Sequence, residues 1–242
     1  MKTRWKIWLL LAGVGALALS LSAQPQGMPG GGGLNASMLK LFGEHKAFSA
    51  QAEASVNANG DEMFIPMDFV VLNGKLRMEL DLGRMKSKQI PAEAAAMLKG
   101  MGMDRMINIL LPEKKRMLVI YPALEAFAEM DMPEDTAGTN DKQEVVDVGK
   151  ETVGGHDCMK RKVITTDAKG KKQEGFTWNA SDLKEFPVKM QFAENDSTVT
   201  MTYKNINFAA PDSKLFTAPP GYTKHADIQA LMKSAVLKTL GK

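Results

Sequence analysis

The most concentrated chemistry in the chain is His156-Asp157-Cys158, which sets a nitrogen base, a carboxylate and the single thiol at three successive positions. In an extended strand alternate residues face the same way, so His156 and Cys158 would share a face and offer a nitrogen and a thiolate to a soft metal ion. A structural site of that kind takes four ligands, and the other two histidines, His45 and His225, stand far away in sequence. No metal is assigned. A nucleophilic Cys158 has no better support, because no third group is placed to orient the pair. The short patterns of P-loops, dinucleotide folds, zinc proteases and nucleophile elbows are missing as well. The sequence therefore reads as non-enzymatic, with no catalytic residue and no cofactor, and Cys158 as a small buried hydrophobe.

Methionine is the other unusual feature, with 18 in 242 residues. Met97, Met101, Met103 and Met106 cluster as thioether ligands for copper would. Three of them adjoin an expected helix end, however, and Met78, Met117, Met190 and Met201 fall on inward strand faces, so the excess reads as structural. Flexible, polarisable methionines also suit a surface that accepts varied apolar partners.

The elements that would hold these residues are strands. From Phe186 to Phe192, Phe186, Val188, Met190 and Phe192 alternate with Pro187, Lys189 and Gln191, the two-residue period of a strand with one dry face. Phe176 and Trp178 fall on one face of 172–179, behind a turn at Asp167–Lys171. Phe48, Ala50, Ala52, Ala54 and Val56 alternate in a first strand whose small residues let another element lie close. Asn73-Gly74 is a strong hairpin dipeptide between 63–72 and the alternating Leu76, Met78, Leu80 and Leu82. Arg105–Leu111 and Arg116–Tyr121 make a second hairpin. Val199, Met201 and Tyr203 mark a late strand. Short helices are expected over 35–42, after Pro91, and over 122–130, with a polar loop to Asp141. An amphipathic C-terminal helix is expected over 224–240.

The order of strand, Gly154-Gly155-His156-Asp157-Cys158, strand, Gly turn, Trp178 strand and Phe186-Pro187-Val188-Lys189-Met190 strand resembles the lipoprotein-carrier (LolA/LolB-like) superfamily, in an uncharacterised periplasmic branch. The closing Leu215-Phe216-Thr217-Ala218-Pro219-Pro220-Gly221-Tyr222 fits the same pattern, over roughly Phe48 to Tyr222. The resemblance implies an incomplete barrel closed by helices around a lipid or acyl-chain cargo. No site residue is carried over from it.

At the N-terminus, Lys2, Arg4 and Lys6 precede the apolar run 7–21 and the small residues Ser20, Ser22 and Ala23, the layout of a secretory signal peptide over 1–23. The apolar run is short for a membrane span, which needs about 20 residues. A flexible Gly- and Pro-rich leader follows over 24–34, and 35–242 is expected to be a single LolA-like β domain. Removing the signal takes three cations from 31 Lys and Arg and none of the 28 Asp and Glu. The resulting balance argues against a nucleic-acid partner, which calls for a basic face. One Cys permits no internal disulfide, so the core must hold the fold.

The reading is a mainly β (α+β) fold: a strongly curved antiparallel sheet or incomplete β-barrel of about ten to eleven strands, with short helices covering the concave side and a C-terminal helix. The function expected is that of a periplasmic, non-enzymatic binding or carrier protein for a lipid, acylated peptide or other long apolar ligand. Its signal would be cleaved near residues 20–26, leaving no integral membrane span. Strand alternation nominates Met78, Leu80, Phe176, Trp178, Val188, Met190, Phe192, Met201 and Tyr203 as the cavity lining. The alternative is an envelope sensor or interaction module that binds a protein partner with the same sheet and has a filled core.

Overall fold

A computed structural model describes residues 36–58, 61–88, 92–132, 142–166, 170, 172–194 and 197–240. The expected signal peptide, leader and Asn35 lie outside the described residues, as do the loop beyond Met132 and most of the turn at 167–171.

Helix α1 (Ala36–Lys40) leads into β1 (Ala47–Ala58) and β2 (Asp61–Leu72). The turn to β3 (Lys75–Asp81) places Asn73 at φ 48 and Gly74 at φ 80, the left-handed pair that a two-residue hairpin loop requires. A two-residue β4 (Lys86–Ser87) pairs with β2, and α2 (Ala92–Gly100) crosses to the hairpin of β5 (Arg105–Leu111) and β6 (Arg116–Tyr121). The helix expected over 122–130 is not formed. A 3-10 turn at Pro122–Leu124 is followed by β7 (Ala126–Asp131). Ala, Leu, Glu and Met differ from other residues in helix preference by at most about 0.7 kcal/mol each. Pairing of β7 with β6 from Arg116–Asp131 to Tyr121–Ala126 outweighs that and buries Ala126 and Ala128.

A second meander contains β8 (Lys142–Val153), β9 (His156–Thr166), β10 (Lys172–Ala180), β11 (Phe186–Glu194) and β12 (Ser197–Asn207). Strand β12 returns to pair with β1, so the two meanders are zipped together along β1 and β12. Strand β13 (Thr223–His225) then joins β7 in parallel, and α3 (Ile228–Leu240) follows. The helix expected from 224 therefore starts at Ile228, because the residues before it are drawn into the sheet. The order is β13-β7-β6-β5-β3-β2-β1-β12-β11-β10-β9-β8, with β4 off the path. Without the two shortest of the 13 strands, eleven remain, in line with the sequence pattern. The whole is a large curved, unclosed antiparallel sheet with three helices, an incomplete barrel.

Residues opposed across an antiparallel pair share a face, so register sorts the side chains. The inner face carries the main core, to which α1 contributes Met38 and the turn after it Phe42. Helix α3 covers the same face farther along, setting Leu231 and Ala235 against Val119, Tyr121, Ala126 and Ala128. On the outer face of β5 and β6, Ile107, Ile109, Leu118 and Ile120 pack under Phe216, from the segment leading to β13. Strands β5 and β6 are thus buried on both sides.

Candidate ligand-binding face

Strand register brings most of the nominated lining together. Met190 lies opposite Met201, which lies opposite Ala54, which lies opposite Ile65. The neighbouring row runs Tyr203, Ala52, Met67, Leu80, and the next contains Ala50, Phe69 and Met78. Phe192 faces Val199 one row to the other side. Val188 joins the same core beside a register shift between β10 and β11. Met78, Leu80, Met190 and Met201 are fully buried.

Phe176 and Trp178 join the same core at its margin, Trp178 as a buried member and Phe176 packed against it. Met190 opposes Thr177, while Trp178 opposes Lys160 on one side and Lys189 on the other. Its neighbours across the sheet are thus lysines, yet Trp178 is only 3% exposed and belongs to the same buried core as Met190 and Met201. The Lys189 and Lys160 ammonium groups lie 4.3 and 4.9 Å from its ring centroid. Its indole N–H donates to Glu151 at 2.6 Å. Lys160, and then this N–H, hold the Glu151 carboxyl below its ordinary range. Phe176 follows the same alternation, opposite Lys162 and Gln191. Alternation fixes faces within a strand but not how two strands align, and β10 and β11 shift register between Trp178 and Asn179.

What the sequence reading missed is the aromatic group filling the inner face. The Phe42 ring lies 4.8 Å from Phe48 and 5.5–5.6 Å from Phe69, Phe186 and Tyr203, centroid to centroid. It shares the main core with the small residues Ala50, Ala52 and Ala54, which the first strand's pattern had marked as a place of close approach. The available signal was the spacing of Met38, Leu39 and Phe42 ahead of that strand.

Tyr203 is the irregular member. Its hydroxyl is buried without a hydrogen-bond partner among the described residues, and burial pushes its pKa well up. The buried polar side chains of β10, by contrast, are paired: Thr177 donates to Asn179 at 2.7 Å, and the Asn179 amide donates to the Glu185 carbonyl at 2.8 Å.

The remaining candidates for chemistry are tied up. His156 Nδ1 lies 2.8 Å from Asp182 Oδ2, and the Cys158 thiol donates to the His156 carbonyl at 3.4 Å. Burial raises the thiol pKa, the opposite of what a reactive cysteine needs. Among the described residues no group of three or more His, Cys, Asp or Glu could hold a metal ion. Met103 packs under α3 with Met101 and Met106, and Met97 is exposed. A cavity of about 80 Å³ lies between α3, β7 and β13, bordered by Leu124, His225, Leu231 and Lys238. That is well below the roughly 300–1,000 Å³ of small-molecule pockets. No described helix is long and apolar enough to cross a membrane.

No protein-family model matches the sequence, and no curated protein matches it. Among solved structures, a LolA superfamily protein from Nitrosomonas europaea is similar over 76% of this chain and 96% of its own, at 10% identity and a TM-score of 0.37. The lipoprotein LppX from Mycobacterium tuberculosis is similar over 71% of this chain and 94% of its own, at 8% identity and a TM-score of 0.41. The MucA/MucB complex of Pseudomonas aeruginosa gives 76% and 61% coverage, 14% identity and a TM-score of 0.38. The superfamily named from the sequence thus recurs among these structures, and the likeness is one of chain course alone.

Proposed function

We propose that the protein is a non-catalytic, exported binding protein that takes a long apolar ligand, a lipid or an acylated peptide, onto the inner face of its sheet when α1 lifts. The observation that carries this reading is the Tyr203 hydroxyl, buried without a partner among the described residues in a methionine-rich interior, with Phe42 from the turn after the short helix α1 against its ring. An unsatisfied buried hydroxyl costs about 1–3 kcal/mol, and a helix far shorter than about 12 residues has little stability of its own. The seal is weakest where the unmet polar group lies. Displacing Met38 and Phe42 would open the space bounded by Phe48, Phe69, Phe186 and Tyr203, and a ligand's ester or hydroxyl could pair with the phenol. Met78, Leu80, Val188, Met190, Phe192 and Met201 would line the apolar part, and methionine side chains can reshape around an acyl chain. Phe176 and Trp178, at the lysine-flanked margin of the same core, would lie at the edge of this site.

The test is titration of delipidated protein with a fluorescent fatty acid. The expected result is saturable binding that phospholipid displaces and that Met190→Arg abolishes while the far-ultraviolet spectrum is kept. Absence of saturable binding, together with no lipid in native extracts, overturns the proposal. That outcome would favour the second reading, an envelope sensor or interaction module with a filled core, which draws support from the mutual burial of Phe42, Phe48, Phe69, Met78, Met190 and Met201.

A further inference from the structure

Strand β8 is twelve residues long and forms one edge of the sheet, where no other strand pairs with it among the described residues. Val145, Val146 and Val148 are 53%, 59% and 55% exposed. Val145 and Val146 point to opposite faces, so each face of the edge carries an exposed valine among its charged residues. A long edge of this kind is a template for another strand, which natural sheets normally guard against. We propose that β8 pairs antiparallel with β8 of a second copy of this chain, about a two-fold axis at Val146.

The register follows from the bulge and the charges. Pairing of β8 with β9 slips between Asp147 and Gly149, leaving Val148 as the extra residue. Beyond the slip, each residue therefore takes the ladder position of the one before it. An axis at Val146 then sets Val146 against Val146 of the second copy, Val145 against Asp147, Glu144 against Gly149 and Lys142 against Glu151. Two Lys142–Glu151 pairs close the ends, as an isologous interface requires each contact to occur twice. Lys142 is exposed, and the Glu151 side chain is 45% exposed although Lys160 and Trp178 already touch it. An axis at Asp147 would oppose two aspartates and set Glu144 against Glu151. An axis at Val145 leaves no opposite charges facing one another, and one at Gly149 sets Val146 against Glu151. Only the axis at Val146 joins the most exposed valine to itself with opposite charges facing.

Sedimentation equilibrium on the purified protein is the test. Apparent mass should rise from that of one chain toward that of two as concentration passes through about 1–100 µM. Val146→Lys and Lys142→Glu should each weaken the association at least about tenfold. In a Cys158→Ala background, Val146→Cys should oxidise to a disulfide-linked dimer, because directly opposed Cα atoms about 4.5–5.5 Å apart fall in the range a disulfide spans. Val153→Cys should not. A single-chain mass at every concentration overturns the proposal, as does a dimer that Val146→Lys leaves unchanged or a Val146→Cys protein that does not cross-link. If Val146→Lys fails to fold, the Lys142→Glu and cysteine results decide.

Discussion

At one end of the sheet β5 and β6 are covered on both faces, by α3 with its neighbours inside and Phe216 outside, and β13 caps β7. At the other end β8 is exposed on nearly every residue and has no strand beyond it among the described residues. The sequences differ accordingly. Ile107 to Leu111 are all buried, with Asn108 the one polar residue among them, the near-continuous apolar run of a strand packed on both sides. Strand β8 carries charges along its whole length and is tied to its neighbours by its backbone ladder and by pairs such as Asp147–Arg161 and Glu151–Lys160. Exposed pairs of this sort contribute at most about 1 kcal/mol each. One end is therefore fixed by desolvation, and the other by hydrogen bonds and weak electrostatics.

Substitutions should separate the two ends. Phe216→Ala would uncover the outer apolar surface of β5 and β6 and is expected to cost about 3–5 kcal/mol, read as a lower urea midpoint. A cost below about 1 kcal/mol would mean that the outer cover adds little.

The covered end should also weaken in alkali. Burial lifts the Tyr121 pKa from 10.0 to about 12. Below pH 10 the phenol is protonated in both states, so the associated stability is fully present there. As pH rises from 10 to 12 the unfolded chain loses the proton first, and up to about 2–3 kcal/mol is lost. Tyr121→Phe should flatten that part of the stability profile relative to the parent protein.

Between the two ends, Gly175 lies flat under the Phe192 ring. A Cβ there would be 2.6 Å from the Gln191 carbonyl oxygen and would overlap the ring itself. Gly175→Ala should cost about 1–3 kcal/mol through overpacking, and the double change with Phe192→Ala should recover part of the strain relative to the sum of the two single changes.

Tyr203→Phe removes the unpaired hydroxyl and should raise stability by about 1 kcal/mol. A destabilisation would mean that the hydroxyl is satisfied in solution. The smallest effect is expected at β8, where Val146→Lys should change the stability of the single chain by no more than about 0.5 kcal/mol. A loss comparable to that of Phe216→Ala would erase the distinction between the ends.

Much of the fold was legible because strand signals are local. Asn73-Gly74 specified its hairpin through the backbone it prefers, and the clean alternation of Leu76, Met78 and Leu80 reappears as burial at every second residue. The stretch 122–130 was misread because its helix formers outweigh, in a local tally, a pairing partner that only the assembled sheet supplies. The candidate site was half legible. Met190, Met201 and Tyr203 could be assigned to one face because each strand declares its own alternation. Trp178 could not be placed relative to them, because its face depends on the offset between β10 and β11, which shift register between Trp178 and Asn179.

By itself the sequence determined most of the strands, the alternation within each and the short hairpins, since all of these are set within a few residues along the chain. Tertiary structure alone decided that β12 closes onto β1, that Phe42 packs among Phe48, Phe69, Phe186 and Tyr203, and that Phe216 covers the outer face of β5 and β6. These contacts join residues far apart in the chain. Their free energy comes from apolar surface removed from water on both partners at once, and neither segment shows that in isolation.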